Sequence, residues 1–175
     1  MRDQNKIRRF EECVLPHLDA AYNLARWLTR NDLDAEDVVQ ESYLRAFKFF
    51  ESLRNTDSRP WLLAIVRNVS YTMIQQRRAS EEETSFDEEI HSPDPENQDP
   101  EALLLQSMNR QLLKEAIEDL PLEFREVLVL RELEGLSYKE ISDITAVPLG
   151  TVMSRLARAR KKLQASVARS MNKEL

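Results

Sequence analysis

The sequence predicts an all-α protein built from two small helical domains, and three observations carry that prediction. Only two glycines occur in 175 residues, while the strong helix formers Leu, Ala, Glu and Arg are abundant. Apolar side chains recur at spacings of three and four in both halves of the chain. Between the halves lies an acidic stretch with three prolines, Pro93, Pro95 and Pro100, which is too polar to offset its ordering entropy by burial. The chain therefore divides into residues 1–79, a flexible acidic linker at 80–103, and residues 104–175.

In the first domain, Val14, Leu18, Ala21, Leu24, Ala25 and Leu28 lie on one face of a helix, with Pro16 marking its start or a kink. A second helix follows in "NDLDAEDVVQESYLRAFKFF". Asp34 is the expected N-cap, and Asp37 sits in the first turn, where negative charge suits the helix dipole. Val39, Tyr43, Ala46 and Phe50 point inward, and Glu41 with Arg45 forms an i,i+4 pair. The turn-rich "RNTDSRP" precedes a third helix from Trp61 to about Arg78. Trp61, Leu62, Ile65, Val69 and Met73 form its apolar stripe. Arg67, Asn68, Tyr71, Gln75 and Arg78 lie on the other side. Residues 58–80 hold four arginines and no carboxylate. Cations, an amide and an exposed ring suit single-stranded nucleic acid, where rings stack on unpaired bases. A solvated surface with Tyr71 partly buried fits the same residues.

In the second domain, Leu112, Ala116, Ile117 and Leu120 stripe one helix, ended by Pro121. Phe124, Val127, Leu128, Val129 and Leu130 sit in the next, with Gly135 its expected C-cap. Ser137 and Glu140 form an S-x-x-E capping box. It opens a short helix that buries Ile141 and Ile144. Pro148 and Gly150 fit a tight turn. Val152, Leu156, Ala159 and Leu163 then bury the last helix, whose other face shows Ser154, Arg155, Arg158, Lys161 and Lys162. Two helices joined by a tight turn, the second with a basic face, place a helix in the DNA major groove. The bland alternative is a basic amphipathic helix that binds a membrane surface or another protein.

The net charge of −6 does not oppose DNA binding. Ten of the 31 acidic residues, and none of the 25 basic ones, fall in residues 80–101. Residues 150–175 carry seven basic side chains against the single Glu174, and a patch rather than an average steers a polyanion. The linker reads as a tether, or as a nucleic-acid mimic that occupies a basic groove. The single cysteine, Cys13, excludes an internal disulfide and a cysteine zinc cluster, and reads as a small core residue. His17 and His91 are far apart, so no metal or cofactor is expected. No apolar run approaches membrane-spanning length, and the N-terminus lacks a signal peptide's apolar core. These features predict a cytoplasmic protein. There is no phosphate-cradling glycine loop and no nucleophile–histidine pairing, so no enzyme is expected.

Three blocks taken in order, "LDAEDVVQESYLRAF", "RPWLLAIVRNVSYTMIQQRR" and "LPLEFREVLVLRELEGLSYKEISDITAVPLGTVMSRLARARKKL", resemble bacterial RNA polymerase sigma factors of the extracytoplasmic-function group. The resemblance implies a region 2 helical bundle at 1–79 and a region 4 helix-turn-helix at 104–175. It implies a dissociable promoter-specificity subunit that binds core RNA polymerase and promoter DNA and inserts in no membrane. Asp37, Gln40, Glu41, Leu44 and Arg45 would dock on the clamp helices of the largest polymerase subunit, and region 4 on the flap of the second-largest. Arg59, Trp61, Arg67, Asn68, Tyr71 and Gln75 would take the melting minus-ten element, with Asn68 reading a base flipped from the stack. Thr151, Met153, Ser154, Arg155, Ala157, Arg158 and Arg160 would meet the minus-thirty-five duplex. Ser154, Ala157 and Arg158 would face bases; Thr151, Arg155 and Arg160 would face phosphates. Met153 stands where the family often has Arg, and Ala157 is smaller than in some relatives. An anti-sigma factor is the further implied partner. A stand-alone helix-turn-helix regulator is the competing reading.

Overall fold

The computed structural model describes residues 1–54, 57–81 and 100–173, and every element among them is helical. The N-terminal module comprises α1 (Arg2–Cys13), a 3-10 turn (Leu15–His17), α2 (Leu18–Thr29), α3 (Asp32–Phe49), a second 3-10 turn (Phe50–Ser52) and α4 (Ser58–Glu81). The C-terminal module comprises α5 (Pro100–Glu118), α6 (Leu122–Leu128), a π-helical turn (Val129–Leu133), α7 (Tyr138–Thr145) and α8 (Leu149–Lys173). Most of the linker expected at 80–103 lies outside the described residues. The helices on either side run into its two ends, to Glu81 and from Pro100.

In the N-terminal module α2, α3 and α4 pack around Val14, Leu24, Leu28, Val38, Leu62 and Val66, all at or near zero exposure. Phe10 brings α1 into this core, meeting Tyr43, Phe47 and Phe50 edge-to-face with centroids 5.3–6.1 Å apart, the arrangement ring quadrupoles favour. The Tyr43 hydroxyl donates to the Val14 carbonyl at 3.1 Å. Burial first, and Asp19 second, push that phenol up to about 12. Ser58 fixes the start of α4 by donating to the Cys13 carbonyl at 2.7 Å while lying 3.2 Å from His17 Nε2. Asp57 accepts the Arg59 backbone N–H at 3.1 Å. Helix α4 thus begins before Trp61, and Pro60 sits in its first turn, where its missing N–H costs nothing.

Four expectations are corrected here. Asn31, not Asp34, caps α3, accepting the Asp34 N–H at 3.1 Å. Asp34 is buried instead and bonds Arg77 of α4. Leu18 is 44 % exposed, because the 3-10 turn before α2 rotates it off the inward face. Cys13 is exposed at the end of α1 rather than packed in the core. The buried stripe of α4 also runs through Leu63, Val66 and Ser70, which leaves Trp61, Ile65 and Met73 only partly buried.

The C-terminal module buries Ala116, Ile117, Leu120, Val127, Leu130, Ile141, Val152 and Leu156. The Ser137–Glu140 capping box forms in both directions, at 3.0 and 3.1 Å. Gly135 ends the preceding segment at φ +66°, a conformation glycine adopts without Cβ strain. The helix-turn-helix corner is made differently from the expected Pro148–Gly150 turn. Ala146 takes the left-handed position at φ 57°, and Ser142 donates to the Val147 carbonyl at 2.6 Å. Pro148 then accepts from Thr151 N–H, and Gly150 already belongs to the first turn of α8.

Candidate nucleic-acid interface

Helix α8 buries Val152, Leu156 and Ala159 against its own module and turns Met153, Ser154, Ala157, Arg158, Lys161 and Lys162 to solvent. A helix is thereby presented with a continuous outward face, as major-groove entry requires. Thr151 and Arg155 are partly covered at the edge, with Arg155 3.7 Å from Glu123. Arg160 leaves this face's free set, because both its Nε and Nη2 bond Glu132 at 3.0 and 2.5 Å. A phosphate would have to compete with that carboxylate. The pair is about half exposed, so the competition is light.

On α3, Asp37, Gln40, Leu44 and Arg45 are exposed and Glu41 is partly so. Glu41 accepts from Arg45 Nε at 2.8 Å. Leu44 is 69 % exposed, and Leu33, on the same face, 71 %. Two leucines in water beside alternating charges make a surface suited to a protein partner. The family resemblance marked Leu44, and neither it nor periodicity marked Leu33, which sits before the first inward residue of the helix.

Helix α4 is arranged otherwise, because the C-terminal module lies against it. Arg67 Nε donates to Glu126 Oε1 at 2.5 Å, and the Tyr71 hydroxyl donates to Glu126 Oε2. The Arg67 guanidinium stacks 3.8 Å from the centre of the Tyr71 ring. Glu126 itself is fully buried. Burial works against the Arg67 charge, but the hydrogen bond and proximity of Glu126 outweigh it and raise the guanidinium's affinity for its proton. Burial first, and Glu126 next, hold the Tyr71 phenol far above its ordinary value, so it is a neutral donor. At the start of α4, Arg59 Nη2 bonds both the carbonyl and the carboxylate of Glu134, at 2.5 and 2.9 Å. Helix α7 also packs against α4. Tyr71 is thus partly buried rather than the exposed ring of the strand-binding expectation, while Asn68 and Gln75 face solvent.

The contact extends to α2. Arg125, 4 % exposed, donates to the carbonyls of Glu118 and Leu120 at 2.9 Å each and, across the modules, to Leu28 at 3.1 Å. Burial, and Arg30 nearby, pull its guanidinium down to about 10, so it stays charged at neutral pH. Arg30 Nη1 bonds the Glu118 carbonyl at 3.2 Å, and Arg26 Nη1 lies 3.5 Å from the Glu118 carboxylate. Sequence reasoning missed Arg125, Glu126 and Glu134. The available signal was two charged residues set in a helix whose neighbours at 127–130 are all apolar.

Two modules, one a helical bundle and one a capped helix-turn-helix with an open basic face, define a bipartite helical DNA-binding protein. Residues 13–80 match sigma-70 region 2, and residues 110–163 match sigma-70 region 4. The chain is 35% identical over 167 residues to the ECF RNA polymerase sigma factor SigE of Mycolicibacterium smegmatis, covering 95% of this chain and 65% of that protein. It is 36% identical over 150 residues to the ECF RNA polymerase sigma-E factor of Haemophilus influenzae, covering 81% and 77%. Its fold is similar to that of the sigma factor RpoE, solved in complex with the anti-sigma factor NepR from Bartonella quintana, with TM-score 0.76 and 27% identity over 92% of this chain and 98% of that one. The chain belongs to the extracytoplasmic-function sigma factors of the sigma-70 family.

Proposed function

We propose that the protein is an alternative sigma factor, a dissociable subunit that binds core RNA polymerase and directs transcription initiation at a particular set of promoters. One observation carries the reading. A single chain holds a recognition helix with an open basic face at α8, a second cation-bearing helix at α4, and a leucine-bearing docking face on α3. A regulator that only grips duplex DNA has use for the first of these and none for the other two.

In this reading residues 1–79 form region 2, 80–103 the tether and 104–175 region 4. Asp37, Gln40, Glu41, Leu44 and Arg45, joined by Leu33, meet the clamp helices, and mixed charge there gives register more than raw affinity. The C-terminal module meets the flap of the second-largest subunit. Arg59, Trp61, Arg67, Asn68, Tyr71 and Gln75 take the melted minus-ten strand. Thr151, Met153, Ser154, Arg155, Ala157, Arg158 and Arg160 meet the minus-thirty-five duplex. Nucleotide addition belongs to the polymerase, so this chain is not an enzyme, and it works in the cytoplasm. An anti-sigma factor is its expected inhibitor, supported by the partner of the similar RpoE.

Run-off transcription with purified core polymerase on a genomic promoter library tests the reading. Discrete start sites that appear only when this chain is added are expected. Tight duplex binding without any start-site selection would leave a stand-alone helix-turn-helix regulator.

A further inference from the structure

We infer that Arg67 and Tyr71 form an anion site on α4 that the free chain fills with its own Glu126, so that single-stranded DNA must displace this carboxylate before α4 can hold it. The inference rests on the strand-binding role of α4 proposed above.

The geometry is that of a bound oxyanion. Glu126 gives one oxygen to Arg67 Nε and the other to the Tyr71 hydroxyl, and the guanidinium lies over the Tyr71 ring, 3.8 Å from its centre. Two charge-assisted or strong donors, one to each oxygen, also match the two non-bridging oxygens of a phosphodiester. The pairing is repeated. Arg59 meets Glu134, and both the arginines and the glutamates are eight residues apart, about 12 Å along a helix. Two cations on one strand-facing helix are thus each neutralised by an acid from the other module.

An ion pair is a poor choice if adhesion were the only purpose. Burying Glu126 completely carries a desolvation cost, and apolar residues of similar size would hold the modules as well. Apolar contacts, however, do not compete with phosphate. A carboxylate does, because it offers the same chemistry to the same donors. Meanwhile the outward face of α8 stays open, so closure occupies Arg59, Arg67 and Tyr71 on one DNA-binding helix, with Asn68 and Gln75 still in solvent, and leaves the other helix available.

The test uses the full chain and a short fluorescein-labelled oligothymidine, followed by fluorescence anisotropy, with the radius of gyration measured by small-angle scattering. Glu126→Gln removes the charge and keeps the shape. It is expected to bind the oligonucleotide about tenfold more tightly than wild type, as loss of a charged hydrogen bond implies, and to expand. In Glu126→Gln/Arg67→Gln the gain should vanish. Affinity within twofold of wild type for folded Glu126→Gln overturns the inference, with or without expansion. Glu134→Gln, outside α6, supplies the same test at the second pair if the first variant fails to fold, with a gain of about threefold expected. Tighter binding by these variants together with absent start-site selection on core polymerase would sink the sigma-factor reading and leave the anion site standing.

Discussion

Arg125→Met asks whether a buried cation stabilises this protein or burdens it. The guanidinium makes three hydrogen bonds to backbone carbonyls, of Glu118, Leu120 and Leu28. Bonds from a charged donor are worth about 1.5–3 kcal/mol each, so the three together supply about 4–9 kcal/mol. Against them stands burial. A guanidinium pulled down to about 10 is disfavoured as a cation by about 3 kcal/mol. The net expectation is a loss of about 1–6 kcal/mol in Arg125→Met. One carbonyl ends α5, one lies in the α5–α6 connection and the third belongs to α2, so most of the loss falls within the C-terminal module and the rest on its contact with the other. Urea unfolding followed by circular dichroism should show the midpoint falling by about 0.5–3 M at a slope near 2 kcal/mol/M. Arg125→Lys should fare no better, because an ammonium keeps the buried charge and loses the planar fork. A methionine variant as stable as wild type would show that desolvation outweighs the three bonds, and the reasoning would fail.

Four further outcomes are expected. Arg158→Ala should cost promoter selection about 1–3 kcal/mol and relax one base position, read by competition between promoters in run-off transcription, whereas Asn68→Ala should impair open-complex formation, read by permanganate footprinting, with polymerase binding intact. Arg77→Ala should destabilise by about 1–3 kcal/mol because Asp34 is left buried without its cation; burial already raises the Asp34 carboxyl despite Arg77, so adding Asp34→Asn should restore most of the stability in thermal unfolding. Tyr43 holds its proton up to about 12 when folded, against 10.0 ordinarily. Its stabilisation is present in full below pH 10 and is lost as pH rises toward 12, by about 1–2 kcal/mol after discounting for its partial exposure, so denaturant midpoints should drop over that range in wild type and less in Tyr43→Phe.

What was legible in the sequence was whatever local spacing encodes. Capping chemistry acts over three residues, and the Ser137–Glu140 box forms as read. Helix periodicity acts over three and four, and Val152, Leu156 and Ala159 are buried as read. Errors began where a short irregular turn changed the phase. The 3-10 turn at Leu15–His17 put Leu18 into water, and the helix-turn-helix corner used Ala146, a residue with no turn preference, for its left-handed position. Asp34 carried a capping preference, but Asn31 took that role, and Arg77, 43 residues away, gave Asp34 a reason to be inside.

The contact between modules lay beyond such reading for a different reason. Arg67 and Glu126 are 59 residues apart, and no periodicity links them. The spacing places Arg67 on the polar, strand-facing side of its helix, and nothing local singles out Glu126. A charge needs either solvent or a partner, and sequence offers solvent by default. Yet α6 and the start of the π-helical turn are buried continuously from Arg125 to Leu130, so no orientation of that segment keeps both Arg125 and Glu126 in water. Two charges in a segment without a wet side imply partners elsewhere. Residues 58–80 supply arginines and no carboxylate, which makes α4 a source of cations for Glu126. The carbonyl row that Arg125 needs is supplied by any helix C-terminus, and α2 ends at Thr29. The pairing could therefore be bounded from composition and burial together, while its register could not.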